Sequence, residues 1–143
     1  MTTISKSALV SYSPEQMFRL IDDIEAYAEF LPWCGKATEI SRDEKNVEAS
    51  LFISHSGVNK GFTTQNKNTA FEKIEMHLVN GPFKSLEGVW LFEALGENAC
   101  KVSLNLEFEF SSKIISVTLG PVFSRIANSL VDAFIKRADT VYG

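Results

Sequence analysis

The spacing of apolar residues changes period along this chain, and the change limits the folds open to it. From about residue 36 to 110 apolar side chains recur at every second position; from 113 to about 141 they recur at helical spacing. The last alternating stretch is the clearest, with Val102, Leu104, Leu106, Phe108 and Phe110 on one face and Lys101, Ser103, Asn105, Glu107 and Glu109 on the other. One dry face and one wet face imply an antiparallel sheet, since parallel sheets are covered on both sides. Val47, Ala49, Leu51 and Ile53 repeat the pattern, as do Ile74, Met76 and Leu78. Ser56-Gly57, Asn80-Gly81-Pro82 and Gly96-Glu97-Asn98 supply the turns.

Ahead of this region, residues 4–10 read as a first strand. Ser13-Pro14-Glu15-Gln16 then predicts a helix start, with Ser13 as N-cap, Pro14 at the first helical position and Gln16 completing a capping box. A second short helix, Glu25 to Phe30, is expected to stop against Leu31-Pro32, leaving Leu31 to Gly35 as a loop. In the C-terminal segment Phe123, Ile126, Ala127, Leu130, Val131 and Phe134 share one side, while Arg125, Asp132 and Lys136 take the other. Gly120-Pro121 predicts a kink, or a short helix before a longer one, because Pro121 has no N–H to donate. A helix from Pro121 to Val141 spans about 30 Å, the length of a ten-residue strand. The economical packing is therefore α+β: a curved antiparallel sheet of about seven strands wrapped around the long C-terminal helix, with two short helices after the first strand. Residues 1–143 read as a single domain.

Charge and composition narrow the chemistry. With 14 Lys+Arg against 18 Asp+Glu the net charge is -4, which argues against DNA as a partner. The N-terminus lacks a signal-peptide pattern and no window approaches a membrane span, so a cytoplasmic protein is expected. Cys34 and Cys100 are separate and read as free thiols. His55 and His77 lie on different strands without metal-ligand spacing, and neither a nucleophile elbow nor a Gly-rich phosphate loop occurs. Glu48, Glu75, Glu107 and Glu109 fall on wet faces and read as solvated. The 11 Phe are unusual for so short a chain. They imply either a densely aromatic core or an apolar cavity, and the residues alone leave both open.

Three segments resemble a known family: Tyr27-Ala28-Glu29-Phe30-Leu31-Pro32-Trp33-Cys34, the run from Asn80 to Phe92, and the run from Gly120 to Phe134. In order and spacing they are similar to the bacterial ribosome association toxin family, related to the mitochondrial coenzyme Q-binding proteins of the START-like, or polyketide cyclase/dehydrase, superfamily. The resemblance implies a START-like helix-grip fold. It implies two functions as well: holding ubiquinone or a related isoprenoid lipid in support of respiration, or binding the large ribosomal subunit and blocking subunit association. The superfamily contains enzymes, and fold analogy alone assigns no chemistry.

Under the binding reading, Leu51, Phe62, Met76, Leu78, Trp90, Phe92, Leu106 and Phe108 are expected to face Phe123, Ile126, Leu130 and Phe134 around a small apolar molecule or quinone, with polar groups at the mouth. Trp33 is expected either to lie over the mouth, as a gate or a wedge making peripheral contact with the inner membrane, or to plug one end of the core. Either Trp90 with Phe92 or Val89 with Leu91 faces inward, leaving the other pair on the outer face. Lys60, Lys67, Lys73 and Lys84, or Arg125 with Lys136, are the cations available to ribosomal RNA, and Arg137 borders the apolar arc, capping the cavity or reaching outward. An enzyme of cyclase or dehydratase type requires a titratable pair inside, and the expected lining contains none.

Overall fold

The computed structural model describes all residues, 1–143. Strand β1 (Thr2–Val10) leads into helix α1 (Pro14–Asp22), a 3-10 turn (Ile24–Ala26) and the one-turn helix α2 (Tyr27–Phe30). Six strands follow: β2 (Cys34–Arg42), β3 (Asn46–His55), β4 (Val58–Thr69), β5 (Lys73–Asn80), β6 (Phe83–Gly96) and β7 (Ala99–Phe110). Helix α3 (Lys113–Tyr142) ends the chain. All pairings are antiparallel, in the order β1-β7-β6-β5-β4-β3-β2. The first strand thus joins the sheet beside the last.

The predicted capping box is present: Ser13 Oγ accepts from the Gln16 N–H and Gln16 Oε1 from the Ser13 N–H. Two expectations at element boundaries are corrected. The strand after the short helices begins at Cys34 and includes Gly35, because the Trp33 carbonyl accepts from the Ser54 N–H and draws the loop into pairing with β3. Helix α3 runs as one 30-residue helix through Pro121. A proline removes a single helical bond, and Leu119, Val122 and Phe123, all buried, hold both sides of the site in the core. By length and composition α3 is apolar enough to cross a membrane, contrary to the sequence expectation. Its apolar side, from Leu119 to Ala138, packs in the sheet's core.

Register shifts between Glu39 and Ser41, Thr63 and Thr64, and Ala94 and Gly96 mark where the ladders slip. Such irregularities bend strands and let a sheet curl around a cylinder. Trp90 and Phe92 face inward, while Val89 and Leu91 lie on the outer face, so Leu91 is exposed.

Gly81 closes the β5–β6 turn at φ +150°, and a Cβ there would lie 2.6 Å from Phe62 Cβ and 3.2 Å from its Cα. Gly57, in the β3–β4 turn, has φ +78° with nothing within 4 Å. Gly81→Ala is expected to destabilise by about 3 kcal/mol, read as a Tm drop of about 6–12 °C. Gly57→Ala should cost only about 1 kcal/mol, since it carries the φ penalty without a clash. Thermal unfolding of the two variants side by side checks the contrast.

Candidate functional site

Between the concave face and α3 the structure keeps a cavity of about 80 Å³, bounded by 19 residues of which 17 are hydrophobic. From the sheet come Leu51, Phe62, Met76, Trp90 and Leu106; from α3 come Phe123, Ile126, Leu130 and Phe134; from the loop after α2 comes Trp33. These ten are the predicted residues that the fold brings together.

Three others do not reach the cavity. Leu78 sits beside the Thr63/Thr64 register shift and packs half-buried on the core outside the lining. Phe92 is taken up by α1, meeting Phe18 edge-on at 5.7 Å. Phe108 is fully buried among Phe83, Phe110 and Phe123, with the Phe123 ring 4.8 Å away. The physical reason is common to all three. Alternation decides which face a residue occupies, but position along the strand decides whether it meets empty space or another ring.

The rings therefore wall the cavity off. At one end Phe62, Phe83, Phe108, Phe110 and Phe123 form a continuous edge-to-face and stacked cluster. Toward the other end Phe134 is contacted by Tyr27, Phe30 and Trp90. The Phe-rich interior is mostly core, with a small cavity between two aromatic clusters.

Sequence reasoning missed several wall residues. Ile24 and Tyr27 come from the short helices, whose placement over the sheet has no signature in periodicity. Ala49 and Leu86 sit at inward positions of the alternating pattern and were legible in principle. Thr64 and Asn66 are the notable omissions: both are polar, buried and in the wall. Their signal was parity with Phe62 on β4, two and four residues on.

Trp33 is 6% exposed and belongs at once to the cavity wall and to an outer groove of about 550 Å³ between the loop after α2 and α3, so it is the partition between them. A surface wedge is excluded by that burial, while Pro32 beside it is exposed. Arg137 lies in the same groove with its guanidinium 4.9 Å over the Phe30 ring and 4.0 Å from Glu29, so it latches α3 to α2 from outside the cavity.

A polar network fixes the short helices to the sheet. Arg42 donates to Asp22 at 2.9 Å and to Glu39 at 2.8 Å, and Asn68 Nδ2 donates to Asp22 Oδ1 at 2.9 Å. These carboxylates hold the Arg42 guanidinium even further above neutrality than usual. Tyr27 donates its hydroxyl to the Ile21 carbonyl, and burial, with the Asp22 charge behind it, pushes that hydroxyl far above the ordinary tyrosine range. Burial raises the Cys34 thiol, partly offset by hydrogen bonding with the Lys36 backbone, and raises Cys100 as well. No His, Asp, Glu, Lys or Arg is in the cavity wall, so Tyr27 is the one titratable side chain there and it stays neutral.

The candidate cations form no single group. Lys60 and Lys67 are seven residues apart on β4, about 23 Å. Lys73 lies 3.8 Å from Glu75 and Lys84 4.0 Å from Glu109. Arg125 and Lys136 are both exposed on α3, with Asp132 exposed between them.

A curved antiparallel sheet closed by one long helix over an apolar cavity defines a helix-grip protein of the START type. The profile described as "Polyketide cyclase / dehydrase and lipid transport" matches residues 10–135, and the chain belongs to this family, in the branch that holds the bacterial ribosome association toxins. It is 48% identical over 143 residues to ribosome association toxin RatA of Vibrio cholerae, covering 100% of this chain and 99% of that protein. Identity to the Escherichia coli RatA is 42%, over 99% of this chain and 90% of that one. A mitochondrial coenzyme Q-binding protein homolog of Xenopus laevis is 26% identical over 97% of this chain and 59% of its own length. Among solved structures, a Thermus thermophilus protein superposes with a TM-score of 0.84 at 17% identity, covering 99% of this chain and 100% of that one. The Streptomyces aromatase/cyclase Zhui gives 0.83 at 14%, covering 96% and 93%. At those identities the likeness is one of fold.

If Trp33 is the partition, Trp33→Ala joins cavity and groove. The variant is expected to lose about 3–5 kcal/mol of stability yet to gain binding of the fluorescent apolar dye N-phenyl-1-naphthylamine, while Trp33→Phe binds the dye as the parent does. Equal dye binding by all three proteins would place the partition elsewhere.

Proposed function

We propose that the protein is a non-enzymatic binder of an apolar ligand, ubiquinone or a related isoprenoid lipid, acting in the cytoplasm at the periphery of the inner membrane in support of respiration. The observation that carries this reading is the cavity wall, 17 of whose 19 residues are hydrophobic and which lacks an acid–base pair. The coenzyme Q-binding name of the Xenopus relative supports it. Binding would be driven by desolvation and shape.

Size sets a condition on this reading. A cavity of about 80 Å³ is well below the roughly 300–1,000 Å³ of pockets for drug-sized ligands. The ligand must therefore displace wall residues, and Trp33 is the side chain whose movement joins the cavity to the groove over α3. Organic extraction of natively purified protein followed by mass spectrometry should recover an isoprenoid lipid, and stripped protein should bind a short-tailed quinone. No recovered lipid and no titration would sink the reading. Gly88 gives a second handle, because a Cβ there would meet Leu106 Cδ1 and Met76 Cε, each at 2.8 Å. Both are flexible chain ends in the cavity wall, so Gly88→Ala pushes them inward. Quinone affinity is expected to fall about tenfold or more, measured by fluorescence quenching of Trp33 and Trp90.

A second reading, binding to the large ribosomal subunit to block subunit association, is favoured by relatives named ribosome association toxin at 42–48% identity over nearly the whole chain. It is a surface function and compatible with an occupied cavity. Adding purified protein to ribosomes should reduce the 70S peak in a sucrose gradient, and an unchanged profile would count decisively against it.

A further inference from the structure

The cavity is apolar almost everywhere except on β4. There Phe62, Thr64, Asn66 and Asn68 occupy successive inward positions, and all four are buried. Asn68 lies outside the cavity wall, where its Nδ2 donates to Asp22 and its Oδ1 is buried without a partner. Thr64 and Asn66 face the cavity, and Asn66 retains 4% of its exposure. The Thr64 hydroxyl donates to Asn66 Oδ1 at 2.9 Å, which engages the amide oxygen and leaves the two N–H groups of Asn66 Nδ2 without a protein acceptor. Across the same cavity, Trp33 Nε1 is buried and also has no partner.

Two idle donors in one apolar chamber constrain what can fill it. A buried N–H without an acceptor costs free energy that a ligand oxygen recovers. An anionic oxygen fits poorly, because no cation is in the wall and Arg137 is engaged outside with Phe30 and Glu29; a carboxylate would lose its hydration without a counter-charge. A neutral acceptor satisfies both conditions.

We propose that the Asn66 amide recognises a neutral carbonyl oxygen on the ligand's head, so that the ligand binds head inward and its apolar tail leaves past Trp33 into the groove along α3. This rests on the apolar-ligand reading and adds to it the chemical class of the head and the direction of entry. It also reverses the sequence expectation, which put the polar groups at the mouth. Specificity then comes from β4, since an oxygen-free hydrocarbon of the same shape would fill the chamber and leave the Asn66 amide idle.

The test uses the whole protein with two probes that share a ring and tail, decyl-1,4-benzoquinone and decylbenzene. In 15N-labelled wild-type protein the quinone should shift the side-chain amide resonances of Asn66 downfield, and decylbenzene should not. Asn66→Leu should weaken the quinone roughly tenfold while holding decylbenzene as tightly as the parent. Equal affinity of the wild type for both probes, unshifted Asn66 resonances with quinone bound, or an unchanged quinone affinity in Asn66→Leu would overturn the proposal and leave cavity binding standing, with the donors satisfied by water. If neither probe binds, cavity binding itself fails and this proposal fails with it. The resonance shifts are read on unmutated protein, so they decide the matter even if Asn66→Leu does not fold.

Discussion

One constraint organises this molecule: the apolar side of α3 has no place to go except the concave face of the sheet. Phe123, Ile126, Ala127, Val131, Phe134 and Ala138 are all buried there. For the sheet to surround a cylinder it must curl, and the register slips along its ladders give the strands places to bend. The sheet is completed when β1 comes to lie beside β7 rather than beside its sequence neighbour β2. The sheet order follows from gripping one helix.

A curved sheet and a straight helix do not fit without remainder. Here the remainder is small because the aromatic rings do most of the filling, closing the space from both directions along α3. The cavity lies where the rings stop, beside Ile126, Ala127 and Leu130. Its outer wall is a short loop whose Trp33 contributes one large ring and a backbone carbonyl bonded to Ser54. The elements flanking that loop are tied down separately, by the Asp22–Arg42–Asn68 network on one side and by Arg137 over Phe30 on the other. Opening at Trp33 therefore need not loosen the grip on α3.

Much of this was legible in the residues. Period two with one wet face specified an antiparallel sheet, the Ser13 cap placed the first helix, and ten of the thirteen expected wall residues do meet. Leu78, Phe92 and Phe108 were misplaced because they satisfy the inward pattern and yet find other partners, a rim, α1 and a ring cluster. Of the two alternatives read at Pro121, a kink or a short helix before a longer one, the second does not occur, because buried neighbours on both sides keep α3 one helix. The scattering of Lys60, Lys67, Lys73 and Lys84 could not be known without register, which also supplies Lys73 and Lys84 with nearby carboxylates.

By itself the sequence determined which face of most strands is dry, with β6 left open between two sets, where three of the hairpins turn, and that one long helix must cover the result, because those depend on spacing along the chain. Only the tertiary structure decided how much space is left over and what lines it. That quantity is a difference between the volume the backbone encloses and the volume its side chains fill, and no local pattern encodes it. For the same reason Asn66 and Thr64, unremarkable polar residues in a strand, became wall residues of an apolar chamber only once β4 was set opposite α3.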